Sequence, residues 1–324
     1  MVVFLSLRAM TNTTNSVFIH ESALFRRTDF TYEDVNAQYP PKWDDQNFTA
    51  DGILKSFDKV LLRLESTNHC NFKCTFCPHP IMTREKGFMD ENMVHRLLEE
   101  AGQMGFKMLD LRNFGEPIVD KRIADFAKHG KLNGFETIYI HTNGHLLTKD
   151  KLDKWGESGI TNAIISLSPK GEFAQTRPGI NVDKFFNNLE KLIKDDPLYL
   201  DILSVDYIRT GMSTEEEEKE FFDWMTATGL KKRMSIELHN WAVGEDTSHY
   251  RCHRLWSSIT VLWNGLVALC CLDYEGDYVL GDMNTQTLKE LVNNDLYVQI
   301  RKNHADGKFL SKCASCDMPK QKDL

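Results

Sequence analysis

The residues with chemistry to offer are the cysteines. The chain has eight, at 70, 74, 77, 252, 270, 271, 313 and 316, and none between 77 and 252. Disulfide frameworks belong to short, cysteine-dense secreted domains. This chain has 324 residues and gathers its thiols into two groups, which predicts reduced thiolates bound to metal in a cytoplasmic protein. In the first group, Cys70-Asn-Phe-Lys-Cys74-Thr-Phe-Cys77, three thiolates on one loop can ligate three irons of a [4Fe–4S] cube and leave the fourth iron open. A three-cysteine zinc site, with a fourth ligand such as His79, is the competing reading. In the second group, Cys252, Cys270, Cys313 and Cys316 show C-x17-C and C-x2-C spacing. That set suffices for a closed [4Fe–4S] cluster or a structural zinc.

Cys271 is left over. Neighbouring side chains of an extended segment point to opposite faces, so Cys270 and Cys271 are not expected to share one cube. The spacing from Gly265 selects Cys270 as the ligand. Cys271 is then an inert buried thiol or a hydrogen-atom donor. Asp273, two residues on, is a base for a hydroxyl proton or a turn-facing carboxylate.

The elements that position these residues alternate. Apolar, β-rich runs at 60–66, 108–111, 137–143, 162–168, 198–208 and 234–240 are separated by helical periodicity after Asp90, then near 119–131, 148–155, 182–194 and after Ser213. Six such units span about 180 residues, short of the roughly 250 of a full (β/α)8 barrel. The fold expected is α/β, a partial (β/α)6 TIM barrel with a small C-terminal α+β domain. The boundaries are an N-terminal extension over 1–58, the barrel over 59–245 and the cysteine-bearing domain over 246–324. The first cysteine loop comes directly after the first strand, at the barrel end that carries chemistry.

A CxxxCxxC loop after the first strand of a βα array resembles the radical S-adenosylmethionine (SAM) superfamily, and Phe76 before the last cysteine fits. The resemblance covers roughly residues 60–240. It extends to Gly115-Glu116-Pro117 after the second strand, similar to a GGEP motif whose first glycine is here Phe114. Thr142-Asn143-Gly144 ends the third strand. Ser166 lies in ISLS, where the usual aspartate is Ser168, and Arg177 lies in QTRPG. The resemblance implies that Phe76, Gly115, Glu116, Pro117, Thr142, Asn143, Ser166 and Arg177 contact SAM. The C-terminal segment resembles SPASM/twitch domains, which implies an auxiliary [4Fe–4S] cluster on Cys252, Cys270, Cys313 and Cys316.

The resemblance implies reductive cleavage of SAM to a 5′-deoxyadenosyl radical. That radical removes hydrogen from a C–H bond of a polar small molecule such as a sugar, aminoglycoside or aminocyclitol. Oxidation of an alcohol to a carbonyl with the auxiliary cluster is the leading expectation. Epimerisation with Cys271 as hydrogen donor, and peptide maturation, are its alternatives; an iron–sulfur electron carrier or zinc protein is the non-enzyme alternative. A flavodoxin- or ferredoxin-type electron donor is implied as partner. The net charge of −8 argues against nucleic acid as a partner. No apolar run reaches the roughly 18–20 residues of a membrane span. The opening MVVFLSLRAM, without a charged n-region or an A-x-A-like site, is read as mature chain.

Overall fold

Most strands of the barrel are apolar runs, and the longer helices that begin at Glu91, Lys149, Val182 and Glu215 start from a capping side chain. A computed structural model describes residues 51–237, 241 and 252–316. Residues 1–50 of the expected extension, the end of the sixth expected strand with His239 and Asn240, and the boundary at 245/246 lie outside the described residues.

Six parallel strands come in order: β1 (Leu61–Leu64), β2 (Met108–Asp110), β3 (Thr137–Thr142), β4 (Asn162–Leu167), β5 (Leu203–Arg209) and β6 (Lys231–Glu237). Helix α1 (Glu91–Met104) begins at Asp90, whose carboxylate accepts from the Met93 amide. It buries Val94, Leu97, Leu98 and Ala101, the face that its spacing predicts. Helices α2 (Ile123–Leu132), α3 (Lys149–Ser158), α4 (Lys170–Thr176), α5 (Val182–Asp195) and α6 (Glu215–Thr228) complete the crossovers. Thr214 and Glu217 form a capping box at the start of α6. The acidic run there is more than a solvated first turn, because Glu218 accepts from Tyr207 and pairs with Arg209.

Two elements differ from expectation. Residues 198–201, read as strand, lie in a 3-10 turn over Pro197–Asp201 that Ile202 ends: Asp196 caps it through the Leu198 amide, and Pro197 starts it. Helix α4, with no apolar period long enough to read, fills the β4–α5 connection.

The sheet continues past β1. After the short helix α7 (Arg254–Ser257), strand β7 (Ser258–Val261) pairs with β1 in parallel, Leu61 opposite Ser258 and Arg63 opposite Thr260. Antiparallel β8 (Leu266–Ala268) and β9 (Val279–Asp282) come next, giving the order β6-β5-β4-β3-β2-β1-β7-β8-β9. Short helices α8 (Leu288–Leu291) and α10 (Ser311–Ala314) flank α9 (Asp295–Ala305). The cysteine-bearing C-terminal segment is thus hydrogen-bonded to the barrel sheet. Among the described residues, no helix is long and apolar enough to cross a membrane.

Side chains on the two faces of the sheet differ in kind. Leu62 and Leu64 join the large core beneath the helices, while Leu61, Met108, Tyr139 and Ile164 form a second apolar cluster on the inner face. Two residues along β1 and β2, on that same inner face, the side chains become charged: Arg63 on β1 donates to Asp110 on β2 at 3.1 Å.

The segment after the first cysteine loop is held down on β7. A Cβ on Gly87 would lie 2.3–2.5 Å from the Trp263 ring, whose Nε1 donates to the Glu85 carbonyl. Gly87→Ala should therefore lower stability by about 1–3 kcal/mol, read as a lower thermal midpoint of the reconstituted protein. An unchanged midpoint would show that this contact carries no load.

Candidate active site

The three N-terminal cysteines sit in a loop tied to three strand ends. Glu116 N–H donates to the His69 carbonyl at 2.8 Å, and Thr75 N–H to the Thr176 carbonyl at 2.9 Å. Gly115, at φ +104°, passes so close beneath the loop that a Cβ would lie 2.8 Å from Asn68 Cα and from the Thr67 and His69 oxygens. Only glycine fits there. The Asn143 side-chain amide donates to Asn71, between Cys70 and Cys74.

Glu116 is buried and faces the protein. Its carboxylate accepts from Ile118 N–H at 3.1 Å, Thr142 Oγ1 at 2.7 Å and Asn143 N–H at 2.7 Å. Burial outweighs those donors and lifts its pKa to about 7. Through these bonds the carboxylate joins the second strand end to the third. Pro117 opens the 3-10 turn beside it.

Arg177 is brought to the same loop. Its guanidinium lies 5.1 Å from the centre of the Phe76 ring and 4.1 Å from that of Phe173. It donates to Ser166 and Ser168 at 3.3 Å and to Thr176 at 3.0 Å. Ser168, at the position where an aspartate was expected, is thus a partner of Arg177. Among the described residues no carboxylate forms an ion pair with this buried cation, though both Cys74 and Glu172 are close enough to act on its charge. A buried guanidinium with only hydroxyl and carbonyl partners suits an anion beside it.

Four cysteines of the second group surround one cavity. Cys252, Cys270, Cys313 and Cys316 line it together with His304 and Lys312. His304 Nε2 accepts from Cys252 N–H at 2.8 Å. Cys271 is not part of that lining. Its sulfur accepts from Arg254 at 3.2 Å and feels Arg63 and Arg112 of the barrel interior. The two adjacent thiols point apart, as expected.

The thiols differ in charge preference as well. Burial pushes Cys70 and Cys313 up to about 12 and raises Cys74, Cys77, Cys252 and Cys270. Such thiols ionise only when a metal supplies the compensating charge. Burial opposes ionisation of Cys271 too, but Arg254, Arg63 and Arg112 outweigh it and lower its pKa. Among the described residues, no three His, Cys, Asp or Glu side chains converge as ligands of one ion. Four thiols around one cavity are the donor set of a closed [4Fe–4S] cluster or of a structural zinc.

Asp273, considered as a base, is fully buried and already engaged. Its carboxylate accepts from Lys312 at 2.7 Å and from the Asp277 and Tyr278 amides at 3.0 Å. It holds the loop after Cys271 instead of facing a substrate. Glu65 is likewise held, by both terminal nitrogens of Arg84.

Comparison with known proteins agrees with this geometry. Residues 64–203 match the model of the radical SAM superfamily, and residues 252–317 that of the SPASM iron–sulfur cluster-binding domain. The chain carries a radical SAM domain followed by a SPASM domain. Its two domains bring SAM, a SAM-binding [4Fe–4S] cluster and an auxiliary cluster as cofactors. Among curated relatives, a tungsten-containing aldehyde ferredoxin oxidoreductase cofactor-modifying protein of Pyrococcus furiosus is 31% identical over 41% of this chain and 38% of its own length. A GTP 3′,8-cyclase of Actinobacillus succinogenes is 26% identical over 60% of this chain and 57% of its own length. The chain thus spans well under two thirds of these relatives. BtrN, solved with AdoMet and 2-DOIA, is 19% identical with a TM-score of 0.56, over 81% of this chain and 93% of its own. Streptococcus suis SuiB, solved with precursor peptide SuiA, is 18% identical with a TM-score of 0.60, over 83% of this chain and 72% of its own. These two likenesses show the radical SAM fold.

What the sequence reading missed is a charged layer across the barrel interior. Asp110 meets Arg63, Arg112 at 3.3 Å and His141 at 3.7 Å; His141 meets Asp206 at 3.6 Å; and Asp206 binds Arg233. Arg233 holds Asp206 down to about 2 against the effect of burial. The signal was a charged or ionisable residue inside each apolar run: LLRL, MLD, TIYIHT, LSVDYIR and KKRMSIE.

The opposed thiols give a direct test on the reconstituted radical SAM protein. Cys270→Ala should lose about four of about eight irons, whereas Cys271→Ala should keep them all. Equal iron loss in both variants would show that the assignment of ligand and non-ligand is wrong.

Proposed function

We propose that this radical SAM protein oxidises an alcohol of a polar small molecule to a carbonyl. Cys70, Cys74 and Cys77 would hold the SAM-site cluster, and Cys252, Cys270, Cys313 and Cys316 the auxiliary one. When bound, the first with SAM supplies a 5′-deoxyadenosyl radical that removes hydrogen, and the second supplies a one-electron acceptor.

The observation that carries this reading is the pair Cys270–Cys271. One residue faces the auxiliary cavity and the next faces the charged layer, so a molecule in the barrel would sit close to the acceptor site. Cys271 argues for oxidation over epimerisation. Its sulfur accepts from Arg254 at 3.2 Å, and Arg254, Arg63 and Arg112 lower its pKa, which weakens its case as a hydrogen-atom donor. With Asp273 engaged, His141 is the better placed proton acceptor. It lies between Asp110 and Asp206 at 3.7 and 3.6 Å, and burial lowers its pKa, which favours the neutral imidazole over the cation.

The charged layer suits a polar ligand, because an apolar one would leave buried charges uncompensated. Phe114, in place of the expected glycine, lies 5.8 Å from Trp241 and 5.9 Å from Tyr274. Trp241 in turn donates to the Phe76 carbonyl at 2.9 Å. This aromatic group spans the two cysteine-bearing regions and would exclude water from the reacting carbon. A small flavodoxin or ferredoxin is the electron donor we infer.

Anaerobic turnover with a panel of deuterated polyols, sugars and a peptide decides between the classes. Oxidation predicts deuterium in 5′-deoxyadenosine, one SAM consumed per carbonyl formed, and no solvent deuterium in recovered substrate. Solvent deuterium at carbon without a carbonyl would establish epimerisation instead, and deuterium transfer from the peptide alone would establish peptide maturation.

A further inference from the structure

Five guanidinium groups gather around the inner face of the sheet, and four of them have an anionic or sulfur partner of their own. Arg63 donates to Asp110 at 3.1 Å, Arg84 to Glu65 through two nitrogens, Arg233 to Asp206, and Arg254 to Cys271 at 3.2 Å. Arg112 is the fifth. Its Nε reaches Asp110 Oδ2 at 3.3 Å, the same oxygen that Arg63 already holds. Its charge is therefore in excess among the described residues. Its side chain is 30% exposed, against 1% for Arg63. Arg112 comes after β2, two residues beyond Asp110, toward the end of the barrel that carries the cysteine loop.

The same layer contains polar atoms with no hydrogen-bond partner. Thr260 Oγ1 is buried without a hydrogen-bond partner, and Asp110 Oδ1 has only His141 Nδ1 at 3.7 Å, beyond hydrogen-bond distance. The strand register sets Asp110 and Thr260 on either side of Arg63, and residues opposite each other in a sheet share a face. Buried polar atoms left unpaired are destabilising, and ligand hydroxyls would satisfy them.

We propose that Arg112 anchors an oxyanion of the substrate, a carboxylate or a phosphate, while hydroxyls of the same molecule meet Asp110 and Thr260. The substrate is then an acidic polyol, such as a sugar acid or a phosphorylated sugar. A cationic aminoglycoside would set like charge against Arg112. A planar guanidinium with free terminal N–H groups suits either oxyanion through paired hydrogen bonds. This inference rests on the reading of a small polar substrate and refines it.

Inorganic phosphate is the probe. Equilibrium dialysis of labelled phosphate against the reconstituted, SAM-loaded protein at low salt should show one saturable site per chain. Arg112→Gln should weaken it about tenfold or more, and Arg112→Lys only a few-fold. Iron content and the visible spectrum confirm that each variant is loaded; Arg112→Met, which keeps the apolar stem, replaces Arg112→Gln if that variant loses iron. Acetate competing better than expected for a monoanion assigns a carboxylate, and weak competition assigns a phosphate. Absence of saturable phosphate, or equal affinity in the neutral variants, overturns the proposal. A protein that oxidises a neutral alcohol but binds no phosphate would fail this inference and keep the oxidation reading. One that binds phosphate at Arg112 but forms no carbonyl would do the reverse.

Discussion

The site depends on one buried carboxylate. Glu116 links the ends of β2 and β3 through Thr142 and the Asn143 amide, and its own amide holds the cysteine loop at His69. Without that junction, three loops from three strands would each find their own conformation. A buried carboxylate usually needs a cation. Here three hydrogen-bond donors offset part of the cost of burial, so the strand ends that supply them are fixed by the cost of leaving the carboxyl oxygens unmet. Gly115 makes the arrangement possible by letting backbone pass against backbone with no side chain between.

Most of the architecture was legible because it rests on short-range rules. The strands announce themselves as apolar runs, and Asp90, Thr148 and Thr214 cap the helices that they precede. The cysteine spacings set the two metal groups and separated Cys270 from Cys271. What escaped the reading depends on partners far apart in the chain. Arg63, Asp110, His141, Asp206 and Arg233 each look like an isolated charge in an apolar strand; only the sheet order shows that they face one another. The backbone partners of Glu116 escaped for the same reason, whereas the turn-facing reading of Asp273 fits its bonds to the Asp277 and Tyr278 amides. A carboxylate looks the same in sequence whether it awaits a ligand or is already saturated by backbone amides. The run at 198–201 was misread because Leu and Tyr suit a strand as well as a turn, and the deciding residues, Asp196 and Pro197, precede it.

The two cysteine-bearing regions are also mechanically joined. Arg84, seven residues after Cys77, binds Glu65 on one side and the Tyr274 carbonyl on the other. Glu275 accepts from the Thr83 and Arg84 amides. The loop after Cys271 is thus clasped to the segment after Cys77. Loops normally move independently; these two are held by charged hydrogen bonds, which fixes the distance an electron would travel between the sites.

The parallel pairing of β7 with β1 has a consequence for how the chain reaches this state. The two partners lie almost two hundred residues apart in sequence, so their contact forms late and closes a long loop. Until it forms, β1 stands at the edge of the sheet with its hydrogen-bonding groups unmet and the cysteine loop attached to it. An unpaired apolar edge invites pairing with another chain. The C-terminal segment therefore protects the nascent barrel from association, in addition to carrying four cysteines. A chain interrupted before residue 258 would be expected to aggregate, even though every residue of the first cysteine loop had been made.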